Sequence, residues 1–366
     1  MNKPLILFVF MLLGCNLKIT AQTDSSRVRT EMIERAFEKY KNYQTDKRST
    51  RKMTADRVRS SDQKTVIGSD YESAEAVGLV KAAITAIIVD PFEGLPAKRR
   101  VLVGATQYDS RIEARNVDPK TAFGKTALIN SVSVGIVIDK DKLHQISRDE
   151  YQLDFSSTLG TTYNLCQSEP FINQPVLGSG TAFVVGKDRL ITAGHVFQGD
   201  LSRYAIVFGF ELTNASGGIQ AIISADSVYF PKKITRKSEE LDLKEFTVDR
   251  ELKQLPLKLG LTDPVKKGNG VYMIGHPYGL PKKVAANAGV EKDEERDIFY
   301  TSLDAFQGNS GSPVFDVVTH RVIGVLVGGQ VDFQWQGNCN ISTLCKMPYC
   351  QGEKAVRISS VADWFP

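Results

Sequence analysis

The residues with the clearest chemical potential lie near the carboxyl end, in the stretch QGNSGSPVF at Gln307–Phe315. It places Ser310 between two glycines, just ahead of an apolar run. Glycine, asparagine, serine and proline are the residues of tight turns, so a plain turn is one interpretation. The other is a nucleophilic hydroxyl held on a bend, which requires a base and an acid elsewhere in the chain.

Candidates for both partners precede this serine. His195 follows the apolar stretch LITAG and is one of 4 histidines in the chain. Asp242 stands at the head of a stretch in which apolar and polar residues alternate. An imidazole can take a hydroxyl proton, and a carboxylate can orient the imidazole. The chain therefore contains each group that hydrolysis by a serine nucleophile needs, in the order His, Asp, Ser.

Five motifs follow one another in a familiar order: TAGH, DLKEFTVDR, GNSGSP, GVLVGG and AVRISSVADWF. In this order they resemble the chymotrypsin-like (trypsin-fold) serine endopeptidases, and most closely the bacterial glutamyl-endopeptidase-like branch. The resemblance covers about Ala127–Pro366. It implies an all-β fold of two barrels with a short C-terminal helix, and hydrolysis of peptide bonds in polypeptide substrates through an acyl-enzyme.

The resemblance also implies the role of each residue. Ser310 becomes the nucleophile, His195 the general base and then acid, and Asp242 the orienting carboxylate. Gly308 has no side chain, so its backbone can come close enough for its amide to act with that of Ser310 as an oxyanion hole. Loss of one such donor costs about 3 kcal/mol of barrier. The opening stretch is thus predicted to be a nucleophile and not a plain turn.

The chain departs from the family at two points. Lys244 and Glu245 follow Asp242 where the family usually has small or apolar residues, and Asp226 and Asp249 are the alternative acids. Asn309 replaces the aspartate that receives a freed α-ammonium in trypsin-type zymogens, and an amide cannot form that ion pair. A catalytically impaired binding module with the same fold is therefore the alternative to an active enzyme.

Substrate preference is predicted from the residue six positions before the nucleophile, which in this fold lies at the base of the specificity pocket. Here it is Asp304, whose carboxylate would favour Arg or Lys before the cut; a solvent-facing turn carboxylate is the other interpretation. The expected pocket wall, which should pair with an extended peptide, consists of Val325, Leu326, Val327, Gly328 and Gly329. Glutamyl specificity is associated with a histidine in this wall, where Leu326 and Val327 stand here, and it remains an alternative with other specificities.

Short β-branched or aromatic runs separated by turn residues predict an all-β barrel or sandwich after Lys125. These runs are Ala127–Asp139, Gly180–Val185, Arg189–Gly194, Tyr204–Leu212, Gln220–Phe230, Gly270–Gly275, Ser312–Val318 and Arg321–Gly329. The preceding residues contain two helical patterns, Arg29–Tyr43 and Tyr71–Pro91. We therefore expect a signal peptide at 1–21, a partly helical extension or pro-segment at 22–124, and a peptidase domain at 125–366.

Export is predicted from Met1–Ala21, which has an early lysine, an apolar run too short to span a bilayer, and a small residue before Gln22. The periplasm or the extracellular space is the expected location. A lipoprotein box ending at Cys15 is the alternative, and it would anchor the protein to a membrane. The remaining cysteines, Cys166, Cys339, Cys345 and Cys350, predict two disulfides with three possible connectivities. A metal held by the last three is the other interpretation.

Composition limits the remaining function classes. The chain has 366 residues, 42% of them hydrophobic and 24% charged, which is typical of a soluble globular protein. Its formal net charge of +4 is small for this length and gives no case for nucleic acid as a partner. No phosphate-binding loop and no metal-binding histidine pair is present, so neither a cofactor nor a metal is expected.

Overall fold

The computed structural model describes residues 109–213, 218–343 and 351–365. The predicted signal peptide, both predicted N-terminal helices, and Cys15, Cys345 and Cys350 lie outside these residues.

Strands dominate the described residues. They are β1 (Arg111–Glu113), β2 (Val134–Asp139), β3 (Leu143–Gln145), β4 (Glu150–Leu153), β5 (Gly178–Val184), β6 (Arg189–Ala193), β7 (Tyr204–Val207), β8 (Ile222–Ser224), β9 (Val228–Tyr229), β10 (Pro231–Ser238), β11 (Leu243–Val248), β12 (Gly270–Gly275), β13 (Lys283–Lys292), β14 (Ile298–Thr301), β15 (Pro313–Asp316), β16 (Val322–Gly328), β17 (Phe333–Trp335), β18 (Asn340–Ser342) and β19 (Glu353–Arg357). The α-helices are α1 (Ala122–Ser131) and α2 (Leu159–Tyr163).

The C-terminal half forms a closed barrel of six strands. Its order is β13-β12-β15-β16-β19-β14, and β14 pairs with β13 to close the ring. All of these pairings are antiparallel. Strand β1 adds a further edge by pairing with β13. Residues upstream of the predicted domain start therefore belong to this sheet.

The N-terminal half forms a second sheet in the order β10-β11-β6-β5-β2-β7-β9. Its two edge strands, β9 and β10, are separated along the chain by Phe230 alone. The sheet must therefore curl to bring its two edges towards each other, and it forms a half-barrel without a pairing between β9 and β10 in the described residues. Side chains of both halves share one apolar cluster, to which Phe183 and Ile191 contribute from one and Tyr272 and Phe315 from the other. The all-β, two-barrel prediction is confirmed.

One local prediction needs correction, and the structure refines a second. The run Ala127–Asp139 was expected to be a single strand, but α1 ends at Ser131 and only Val134–Asp139 is extended. The helix forms because the Thr121 side chain caps it by accepting from the amide of Gly124, whereas the β-branched residues are concentrated in β2. The expected C-terminal helix is a 3₁₀ segment at Ile358–Trp364, interrupted at Val361.

A disulfide joins Cys166 to Cys339 across 173 residues. It confirms one of the two predicted disulfides, and it occupies one of the three sulfurs that the metal interpretation required. A disulfide is typical of an oxidising compartment and favours export. In the described parts of the chain, no helix has the length and apolar character that crossing a membrane requires.

Removing this disulfide should lower stability, because the bond constrains a very long loop in the unfolded chain. We expect Cys166→Ala/Cys339→Ala to lose about 2–5 kcal/mol of unfolding free energy, measured by chemical denaturation. The parent should lose a similar amount in a reductant such as dithiothreitol. Equal stability of parent and variant under oxidising conditions would contradict the prediction.

Candidate active site

The structure brings Ser310, His195 and Asp242 together. The Nε2 atom of His195 lies 2.8 Å from the Ser310 Oγ, and the Nδ1 atom lies 2.5 Å from the Asp242 Oδ2. His195 follows β6, Asp242 directly precedes β11, and Ser310 lies in the turn before β15. Three segments that are far apart in sequence therefore form one continuous chain of hydrogen-bonding groups.

The pairing of β6 with β11 is what places the histidine beside the aspartate. Leu243 of β11 is opposite Ala193 of β6, so the ends of these strands adjoin. The Asp242 carbonyl accepts from the Gly194 amide at 2.7 Å, and its Oδ1 accepts from the His195 amide at 2.8 Å. A Cβ on Gly194 would lie 2.6 Å from that Oδ1, so a glycine is required there. Asp242 itself adopts a φ of 53°, which its backbone contacts must hold in place.

Lys244 supports the histidine turn from the other side. Its Nζ donates to the carbonyls of Gly194 at 2.7 Å and of Phe197 at 3.1 Å, on either side of His195. Glu245, which is 1% exposed, pairs with Arg189 at 3.3 Å. Both charges that depart from the family pattern therefore have partners and leave the contact between Asp242 and His195 intact.

The two alternative acids form other ion pairs. Asp226 pairs with Lys253 at 2.5 Å, and Asp249 pairs with Arg250 at 3.0 Å. The Asp249 carboxylate also accepts from the Phe230 amide at 2.8 Å. Asp242 is thus the carboxylate that the fold brings to His195.

The turn that carries Ser310 is held by the other barrel. Thr181 of β5 donates its hydroxyl to the Gly308 carbonyl at 2.9 Å and its amide to the Ser310 carbonyl at 2.9 Å. Gly308 has a φ of 89°, and a Cβ there would lie 2.7 Å from the carbonyl oxygen of His276. In the described residues, neither the Gly308 nor the Ser310 amide donates to a protein acceptor. Both predicted oxyanion donors are therefore free to bind a substrate oxygen.

His276 lies beneath this turn and takes no part in the hydrogen-bonded chain. It is fully buried, and its Nδ1 is 3.0 Å from the Leu280 carbonyl. Burial, together with the nearby Lys282 ammonium, holds the pKa of His276 well below its usual range. His320 contacts the Tyr272 hydroxyl at 3.0 Å. Both histidines are structural.

Asp304 is buried, with 2% of its surface exposed, and its Oδ2 accepts from the Ser110 amide at 2.6 Å. This burial excludes the solvent-facing interpretation. Asp332 and Glu353 are two further carboxyls in this region. The negative charges of Asp304 and Asp332 both act on the Glu353 carboxyl. Sequence reasoning did not identify Asp332 or Glu353, because neither lies in a recognisable motif.

The predicted pocket wall divides into two parts. Val325 and Leu326 are 0% and 2% exposed and belong to the core. At Val325 the strand β16 is paired with both β15 and β19. The Leu326 amide and carbonyl form hydrogen bonds with the turn that carries Ser310. The β15-facing edge of β16 has no partner from Val327 onward among the described residues. Val327, Gly328 and Gly329 therefore keep an edge that could pair with a peptide.

A family model and several solved structures are similar to parts of this chain. Residues 180–325 match the family model for the trypsin-like peptidase domain. Among solved structures, the chain is similar to the Rv3671c protease from M. tuberculosis in its active form, with 18% identity over 74% of this chain and 91% of that chain at a TM-score of 0.41. It is also similar to the serine endoprotease from Yersinia pestis, with 12% identity over 68% and 66% at a TM-score of 0.42. For Deg5 the values are 17% identity over 65% and 90%, at a TM-score of 0.38.

The matched segment runs from the strand that bears Thr181 to the wall strand β16, and it contains His195, Asp242 and Ser310. The protein is a serine protease, a hydrolase with a trypsin-like peptidase domain. The glutamyl-endopeptidase-like branch stays a prediction.

We expect Lys244→Met to slow catalysis, because the histidine turn loses two charge-assisted hydrogen bonds, each of which contributes about 1.5–3 kcal/mol. A tenfold fall in kcat, about 1.4 kcal/mol of barrier, with little change in KM is the expected result of steady-state kinetics. Lys244→Arg should recover part of the loss. The matched control is Lys237→Met, since Lys237 is exposed and its one ion-pair partner in the described segments is Glu239. Equal kcat for Lys244→Met and the control would contradict this role.

Asp332 should make stability depend on pH. Burial raises the pKa of Asp332 to about 6, although the Gln307 amide donates to it. The unfolded value is about 3.9, so folding takes up a proton between these values and the unfolding free energy falls as pH rises from about 4 to 6. Asp332→Asn should therefore be more stable than the parent at pH 7 but not at pH 4.

Denaturant unfolding at several pH values checks this expectation. Asp363→Asn is the control, because Asp363 is exposed. A constant stability difference between Asp332→Asn and the parent across pH 4 to 7 would contradict the raised pKa of Asp332.

Proposed function

We propose that this protein is an exported serine endopeptidase that cleaves peptide bonds through Ser310, His195 and Asp242. The observation that carries the proposal is the unbroken contact from the Ser310 Oγ through the His195 ring to the Asp242 carboxylate, at 2.8 Å and 2.5 Å. In this arrangement the serine has a base within hydrogen-bonding distance, and the base has a carboxylate that orients it.

The reaction proceeds through an acyl-enzyme. Ser310 Oγ bonds to the peptide carbonyl carbon while His195 Nε2 takes the hydroxyl proton, and the amides of Gly308 and Ser310 bind the resulting oxyanion. The carbon–nitrogen bond then breaks, and the leaving amine receives the proton from His195. A water molecule attacks the ester with His195 as base, which releases the acid product and restores the Ser310 hydroxyl.

The alternative of an impaired binding module depended on the charged strand after Asp242. The contacts of Lys244 and Glu245 argue for the enzyme, because both charges are satisfied away from the His195 ring. The polypeptide is expected to bind as an added strand along Val327–Gly329, with Arg or Lys before the cut. The carboxyls of Asp304 and Asp332, whose charges both act on Glu353, support this basic preference over glutamyl specificity, which would require a cationic group there.

Export and domain organisation are part of the proposal. The predicted signal peptide at residues 1–21 and the disulfide support secretion to an oxidising compartment. Anchoring through Cys15 is the alternative. Because β1 pairs with β13 and Lys125 lies inside α1, we place the start of the peptidase domain at or before Asp109 instead of at residue 125.

A fluorophosphonate probe tests the enzyme directly, because it reacts with an activated serine. We expect the chain from Gln22 onward to be labelled and Ser310→Ala to remain unlabelled. The matched control is Ser312→Ala, since Ser312 lies in the same turn, is fully buried and has no hydrogen-bond partner for its Oγ among the described residues. That variant should still label. A folded parent that takes up no probe would favour the binding module.

A further inference from the structure

Asp304 is already bound by the protein itself. The segment Asp109–Glu113, the N-terminal arm, places the Ser110 amide 2.6 Å from the Asp304 Oδ2. The guanidinium of Arg111 is close enough for its charge to act on Asp304. Arg111 is 5% exposed, lies 4.0 Å above the Phe306 ring and forms a bidentate ion pair with Asp109. A substrate cation would have to compete with this buried arm for the Asp304 carboxylate.

The N-terminal arm is held firmly. Its strand pairs with β13, and Glu113 forms a buried ion pair with Lys283 at 2.6 Å. Gln174 bonds to both side chains of that pair, at 2.7 Å and 2.6 Å. Displacing the arm would leave these buried charges without partners, which is strongly destabilising. Asp304 is therefore a structural anchor that ties the arm to the loop before the nucleophile.

Glu353 occupies a different position. Gly329 is the last residue of the wall segment with an unpaired strand edge in the described residues. A Cβ atom at this position would overlap the Glu353 Oε2 and lie 2.9 Å from its Oε1. The Glu353 carboxylate thus lies directly beside the wall, where a side chain of residue 329 would otherwise project. Only 3% of the residue is exposed to solvent. A substrate side chain that passes Gly329 would meet this carboxylate.

Among the residues that the structure describes, this carboxylate has acidic neighbours and no cationic partner. No lysine, arginine or histidine of the described segments forms an ion pair with Glu353. Burial, and then the charges of Asp332 and Asp304, raise the pKa of Glu353 well above its usual range, although the Gln330 amide donates to it. A buried anion without a counterion is costly, and an entering ammonium or guanidinium would remove that cost.

We propose, given the peptidase function above, that Glu353, assisted by Asp332, is the specificity-determining carboxylate that receives a Lys or Arg side chain before the scissile bond. Asp304 does not perform this role, because the N-terminal arm engages it.

Peptides that differ only in the residue before the cut, with Arg, Lys, Gln or Glu, distinguish the two carboxylates. For Glu353→Gln we expect kcat/KM on the Arg and Lys peptides to fall about a hundredfold, while the Gln peptide changes less than threefold. For the matched Asp304→Asn we expect a lower melting temperature and an unchanged ratio of Arg to Gln cleavage. Fluorophosphonate labelling of both variants shows that Ser310 remains reactive.

Several results would overturn the proposal. One is a parent that labels with fluorophosphonate but cuts the Gln or Glu peptide at least as well as the Arg peptide. Another is a Glu353→Gln variant that keeps the basic preference, or an Asp304→Asn variant that loses it. Failure of the parent to label contradicts the peptidase function instead, so the two failures are distinguishable.

A binding measurement keeps the proposal testable if Glu353→Gln does not fold. Benzamidine, an aryl amidinium, should raise the melting temperature of Ser310→Ala, whereas the uncharged benzamide should not. The same comparison on Ser310→Ala/Glu353→Asp should give a smaller shift, because the shortened side chain retracts the carboxylate. Equal shifts with benzamidine and benzamide would contradict an anionic pocket.

Discussion

The site depends on one carboxylate-bearing residue that holds a histidine turn at three points. Asp242 accepts from the amides of Gly194 and His195 and from the imidazole ring. These contacts fix both the backbone and the ring of His195. As a result, the Nε2 atom of the ring points towards Ser310. The antiparallel pairing of β6 and β11 sets the distance, because a shift in register would move Asp242 away from the turn.

Ser310 reaches this histidine only because the second barrel packs against the first. Thr181 of the half-barrel bonds to the carbonyls on either side of Asn309, in the turn of the closed barrel. The Thr181 carbonyl accepts from the Thr192 hydroxyl at 2.7 Å. This bond connects Thr181 to β6, the strand that precedes His195. Ser310 and His195 are therefore positioned through one buried hydrogen-bond network, and the two barrels also share an apolar cluster.

The parts of the site that could be predicted from sequence are those in which local geometry restricts residue type. A turn with a φ of 89° at Gly308 allows little besides glycine, so the motif around Ser310 can be recognised from the sequence. The contacts of Lys244 and Glu353 depend on which strands are neighbours and in what register, and this follows only from closure of the sheets. The N-terminal arm was assigned to the extension for the same reason: three residues of strand have no pattern of their own until β13 accepts them.

The side chains of His195 and Asp242 are partly exposed to solvent, so a bound substrate would change their electrostatic environment. The side chains of His195 and Asp242 are 47% and 36% exposed, so water screens the charge that develops on the imidazole. In the proposed reaction, a bound peptide would exclude water from the imidazole and strengthen its attraction to the carboxylate. On the proposed function, we expect binding of an extended chain to complete the electrostatic environment of the reaction, so that polypeptides react better than small esters that cannot reach both the wall and Ser310.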